Sequence, residues 1–170
     1  MPTNRGRTLI HSLLLAALLL PLALAPAACG PSQEELAADR EEIEEMLREY
    51  ARLLARAYTF ADPSVLDPVA TRREMASVEN NIATLADQGR RQAVDLRELT
   101  IEDLNLCQAD NAYVRTFEVW DIRVLATGVE QEISRQDGQQ SRVRSHVKRN
   151  DDTGDWEVVW RQRLDESSPE

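Results

Sequence analysis

Cysteine, histidine and glycine are scarce in this chain of 170 residues, which holds two, two and six of them. If Cys29, just beyond the N-terminal apolar run, is taken up by modification, only Cys107 remains, and one cysteine closes no intrachain disulfide. Its place at the end of an apolar, strand-like run predicts a buried or half-buried thiol; a reactive thiol and an intermolecular bridge are the alternatives. No spacing fits a zinc site, a calcium loop, a glycine-rich phosphate loop or a nucleophile elbow, so no metal and no cofactor is expected. Positive charge is short as well, with 20 Lys and Arg against 30 Asp and Glu and a formal charge of −10. A phosphate backbone attracts a basic footprint, so nucleic acid is excluded as a general partner.

Long apolar runs are limited to the N-terminus. Leu13 to Ala28 is 16 residues long and contains Pro21 and Pro26, short of the roughly 20 needed to span a bilayer. With Arg5 and Arg7 ahead of it, the segment reads as an export signal covering residues 1–28. Ala27-Ala28-Cys29-Gly30 then resembles the lipobox of bacterial lipoproteins, in which small residues precede a cysteine that is lipidated and becomes the new N-terminus. By that resemblance Cys29 is the lipid attachment site, although Pro26 stands where the family usually has Leu. Ordinary cleavage at Ala25-Pro26-Ala27 is the rival and leaves Cys29 as a free thiol. Two or more acyl chains anchor a soluble domain stably at a membrane surface. Gly30 after the cysteine, in place of Asp, implies by the same resemblance an outer-membrane address facing the periplasm in a two-membrane bacterium.

About 142 residues remain after the leader, enough for one domain. Residues 29–32 form the lipidated N-terminus and a short linker, 33–164 the domain, and 165–170 a polar tail. Ser32-Gln33-Glu34-Glu35 is a capping box. After it Leu36, Ile43, Met46, Leu47, Tyr50, Leu53, Leu54, Ala57 and Tyr58 recur at intervals of three and four, which predicts a helix from Gln33 to Phe60 with one apolar face. Asp62-Pro63 ends it and caps a short turn through Leu66. Thr71-Arg72-Arg73-Glu74 is a second capping box for a helix carrying Met75, Val78, Ile82 and Leu85, with Gly89 as its stop.

Beyond Arg91 the apolar period falls to two. Val94 and Leu96, then Leu99 and Ile101, then Leu104 and Leu106 alternate with polar residues, and the phase slips twice, as bulges would make it. Ala112 to Leu125 is a second long strand and Ser141 to Arg149 a third. In the last, Trp156, Val158, Trp160 and Leu164 are expected inward, opposite Glu157, Val159, Arg161 and Arg163. Ala109 to Asn111 and Asp151 to Gly154 read as turns, and Asp137-Gly138 as a hairpin signal that would make Val129 to Arg135 one arm.

The predicted class is α+β, with a long N-terminal helix and a second helix on one face of a curved antiparallel sheet of about four strands. The order of elements, the D-P-x-x-L and A-T elements of Tyr58 to Thr71, the strand Ala112 to Val124, and Arg142 to Arg163 with its G-D-W-E-V together resemble the nuclear transport factor 2-like superfamily. Within it the pattern is most similar to the IMS-type members. The resemblance implies a cone-shaped domain whose enzymes act on a proton beside a carbonyl with an Asp or an Asp/His pair in the cone. It does not choose among enzymes, binding domains and interaction domains.

Three functional readings follow. A non-catalytic binding or interaction module requires an exposed apolar or basic patch on the sheet; the row Arg142, Arg144, Lys148, Arg161 and Arg163 falls on one predicted face, while residues 29–87 hold 13 acids against 6 bases, a polarity that suits an acidic envelope partner or a homodimer across the sheet. A carrier of a small apolar ligand requires a cavity bounded by Tyr113, Trp120 and Trp160. An isomerase-like or cyclase-like enzyme requires Asp121, which shares its parity with Phe117 and Val119, to face that cavity, unless it pairs with an arginine instead. His146 alternates with the basic residues and is expected to point away from the core. The interaction module is the primary reading, and no catalytic residue is assigned.

Overall fold

The computed structural model describes residues 33–164 apart from 109 and 130. The leader, Cys29, the Ser32 cap and the tail lie outside the described residues. Helix α1 runs Gln33–Phe60 over 28 residues, burying Ile43, Leu47, Tyr50, Leu54 and Ala57 along one stripe. It stops without a glycine: Ala61 takes φ 54 and Asp62 N donates to Ala57 O at 3.0 Å, the bonding of a left-handed C-terminal cap. Asp62 then caps a 3₁₀ turn at Pro63–Leu66, its Oδ1 accepting from Ser64 N at 3.0 Å.

Helix α2, Arg72–Asp87, begins at Thr71 as expected, but its capping box does not form. Thr71 makes no side-chain cap bond; its hydroxyl donates to Val159 O at 3.4 Å. Glu74 is buried and accepts from Tyr50 Oη at 2.6 Å. A tertiary partner thus takes the carboxylate that the local motif would have used. Gly89, at φ +67, ends the helix where the sequence places its stop.

Four strands follow, β1 Arg90–Gln108, β2 Asn111–Ala126, β3 Glu132–Arg149 and β4 Trp156–Leu164. They form one antiparallel sheet in sequence order. Register shifts in β1 fall between Leu96 and Glu98 and between Ile101 and Asp103, at the two slips in the apolar pattern. A third falls between Leu106 and Gln108. The extra residue at each of the first two shifts restores the apolar side chains to the inner face, toward the helices. Cys107 occupies the third shift and is exposed, so the expected burial is wrong: Leu106 before it packs on the core, and the next residue faces outward.

Two further expectations fail for the same reason. Asp137-Gly138 is not a hairpin turn; Trp120 pairs with Gln139 and Ile122 with Gln136, so both residues bulge within β3 opposite Asp121. The turn lies instead at Thr127-Gly128, with Gly128 at φ +82 and Ala126 N bonded to Gln131 O at 2.9 Å. In β4, Val158 pairs with Val147 but Trp160 pairs with His146, leaving Val159 unmatched. Beyond Val159 the parity reverses, which sends Trp160 to the outer face and Arg161 and Arg163 to the inner one. This bulge sits where segment 69–71 docks on the strand, with Val158 N bonded to Val69 O and Thr71 N to Val158 O, both at 2.9 Å.

Candidate functional site

On β2 the even-numbered residues Ala112, Val114, Thr116, Glu118 and Trp120 are buried against the helices. Glu118 is therefore a carboxylate in a row of core positions. Its Oε1 accepts from Thr116 Oγ1 at 2.9 Å and from Arg161 Nη2 at 2.5 Å, and its Oε2 from Trp120 Nε1 at 2.8 Å. The Arg161 guanidinium also lies over the Tyr50 ring, 5.1 Å from its centroid, and the Tyr50 hydroxyl continues the chain to Glu74. Burial pushes the Glu118 carboxyl up, but the Arg161 charge and the donated hydrogen bonds outweigh it and hold it below the ordinary carboxylate range. Desolvation opposes the Arg161 charge, yet its carboxylate partner raises the group above its ordinary value. Burial raises the Tyr50 phenol. Glu118 and Arg161 thus stay ionised and paired.

Above this pair a partly open cavity of about 250 Å³ lies between α1 and the inner sheet face. Its walls are apolar at Leu54, Tyr58, Val94, Trp120 and Ile122, and Glu118, Gln139, Arg161 and Arg163 supply its polar groups. With the Gln139 amide oriented to match its neighbours, its oxygen accepts from both terminal nitrogens of Arg163 at 3.0 and 3.2 Å.

The outer face has a different chemistry. Tyr113 and His146 stack with centroids 4.9 Å apart, and Trp160 closes the cluster at 6.2 and 6.0 Å from them. Arg144 lies 5.0 Å from the Tyr113 centroid and Arg142 5.9 Å from that of Phe117. His146 Nε2 meets Asn111 Oδ1 at 3.0 Å; desolvation, then the charges of Arg73 and Lys148, lower its pKa. Asp121 is here too, bonded by Arg97 Nε at 2.6 Å and by Gly138 N at 2.8 Å. The Arg97 bond, then the Gly138 amide, hold its carboxyl below the ordinary range.

The structure therefore divides the sequence-predicted residues. Of the expected pocket set, Trp120 lines the cavity, while Tyr113, Phe117, Asp121 and Trp160 lie on the opposite face. Of the expected basic row, Arg142, Arg144 and Lys148 share the outer face, while Arg161 and Arg163 belong to the cavity. Sequence reasoning missed Glu118, Tyr50, Glu74 and Tyr58 as site residues. Glu118 had a signal, since it has the parity of Val114 and Trp120; Glu74 had none, because its helix-start position explained it already. Among the described residues no cluster of His, Cys, Asp and Glu is placed to hold a metal, and no helix is long and apolar enough to cross a membrane.

No protein-family model and no curated protein sequence matches the chain. In fold it is similar to the crystal structure of the intermembrane space region of the chloroplast protein ARC6, at 14% identity over 79% of this chain and 98% of that one, with a TM-score of 0.61. A periplasmic fragment of TraM aligns at 9% identity over 73% of this chain and 96% of its own, with a TM-score of 0.51. An NTF2-like protein with a cystatin-like fold from Novosphingobium aromaticivorans aligns at 19% identity over 79% and 87%, with a TM-score of 0.46. Two helices on one curved four-stranded antiparallel sheet, an α+β architecture, is the fold that the chain shares with the ARC6 region.

Proposed function

We propose that the mature chain is a non-catalytic interaction module, tethered at an extracytoplasmic membrane surface through lipidated Cys29, and that it works through the outer face of its sheet. The supporting observation is the charge layout of that face. By register β1 presents Asp95, Glu98 and Asp103, β3 presents Arg144 and Lys148 beside Arg142, which already bonds Glu102 of its own chain at 2.9 Å, and Tyr113, Phe117 and Trp160 supply the apolar surface. A two-fold axis along β2 lays the acids of one copy over the bases of the other, which makes the face self-complementary. The non-catalytic reading is supported by the state of the two β2 carboxylates. A general base works best with a pKa near the operating pH, and both Glu118 and Asp121 are held ionised by arginines.

Sedimentation velocity on the protein and on Trp160→Glu tests the face. A dimer that dissociates in the variant is expected; a monomeric wild type overturns self-association and directs the face to another envelope protein. Intact mass and membrane fractionation beside Cys29→Ser test the tether. A lipid-sized mass and membrane retention, both lost in the variant, are expected, and a soluble product cut after Ala27 overturns it.

A second reading, carriage of a small ligand in the cone, is favoured by the 250 Å³ cavity. Its boundary is not the one foreseen, since Tyr58 and Ile122 join Trp120 there in place of Tyr113 and Trp160.

A further inference from the structure

We infer that the cone cavity selects a small organic anion, a carboxylate on a flat apolar body, with Arg163 as the residue that reads its charge. This rests on the carrier reading above and names the class of ligand it takes.

The polar groups of the cavity favour an anion over a cation or a neutral donor. Glu118 is the carboxylate of its lining, and its oxygens already accept from Thr116, Trp120 and Arg161. A cationic ligand would have to displace Arg161 from a buried pair. Donors, by contrast, are in surplus. Two guanidiniums line the cavity against one carboxylate, each guanidinium carries five N–H groups, and Arg161 neutralises Glu118. Among the described residues Arg163 has a neutral partner, the Gln139 amide, and an amide oxygen satisfies its hydrogen bonds without compensating its charge. A ligand carboxylate can replace that oxygen in the same forked geometry and adds the charge.

This local positive excess stands out in a chain with a formal charge of −10. The remaining walls set the body of the ligand: the rings of Trp120 and Tyr58 and the side chain of Ile122 call for a flat apolar group. The volume lies below the roughly 300–1,000 Å³ of drug-sized sites, so the ligand is small.

Calorimetric titration of the purified protein with 2-naphthoate and with its neutral isostere 2-naphthamide tests the inference. The carboxylate is expected to bind about tenfold more tightly than the amide or better, the range of a charge-assisted hydrogen bond. Arg163→Gln should remove that preference; Arg163 is exposed, so the melting temperature serves as a check that the variant folds. Ser141→Phe, at a half-buried position of the cavity wall, should block both compounds. Equal binding of the two compounds to the wild type would overturn the anion class and leave the carrier reading standing. Binding of neither, or binding that persists in Ser141→Phe, would overturn the cavity as a ligand site.

Discussion

Two carboxylate–guanidinium pairs lie three residues apart on β2, one on each face of the sheet. Inside, Glu118 and Arg161 have side chains 4% and 14% exposed; outside, Asp121 and Arg97 are 14% and 58% exposed. The chemistry is the same and the surroundings are not. In the dry layer each charge depends on the other, because neither has water to fall back on. On the outer face Arg97 is open to solvent, which screens the pair, and Asp121 keeps the Gly138 amide as a second donor if the arginine is lost. The comparison locates where this protein is vulnerable to a change of charge, and it explains why a carboxylate near an apolar row is an unreliable sign of catalysis.

The largest expected effect breaks the inner pair. Glu118→Ala leaves Arg161 buried and unpaired, and denaturant unfolding should show a loss of about 3–5 kcal/mol. Replacing both residues with leucine should cost far less, because no lone charge remains; a double variant as unstable as the single one would show that packing, not charge, dominates. The pair also predicts acid sensitivity. Glu118 has a lowered pKa when folded, so its contribution is complete above the ordinary glutamate value of about 4.3 and is lost as pH falls through the folded value. Stability measured across that window should therefore fall less steeply in Glu118→Gln than in the wild type, and parallel curves would contradict the assignment.

A smaller effect is expected at Gly138, whose φ of +67 shapes the bulge that aims an amide at Asp121. Nothing lies within 4 Å of a Cβ built there, so Gly138→Ala meets only backbone strain, about 1–2 kcal/mol, readable in the denaturant midpoint. Smallest of all, Asp121→Asn should leave the midpoint almost unmoved. A loss comparable to that of Glu118→Ala would erase the distinction between the faces.

The failures of sequence reading follow the same division. The first two slips in β1 were legible because apolar residues resume after each one, so the pattern records its own interruption; the third has no apolar residue after it and left no such record. The slip at Val159 was not legible, because Val158, Val159 and Trp160 fit either face by type. Arg161 and Arg163 were consequently assigned to water. The bulge at Asp137-Gly138 shows the converse: the dipeptide most associated with hairpin turns supplies a positive φ inside a strand, and only the pairing with β2 distinguishes the two uses. Glu74 and Tyr50 each had a sufficient local explanation, one as a helix start and the other as core, and neither hinted at a bond across 24 residues.

What the sequence determined alone is what depends on near neighbours: the span of α1, the Asp62-Pro63 cap, the stop at Gly89, the four strands and the first two bulges of β1. These rest on periodicity, backbone restriction and side chains that reach no further than a turn. The tertiary structure decided which face each β4 residue takes, where the charged pairs form and what the cavity contains. Those outcomes depend on register and burial, and a bulge of one residue, beside the docked segment 69–71, exchanges the inner and outer faces for the rest of the strand.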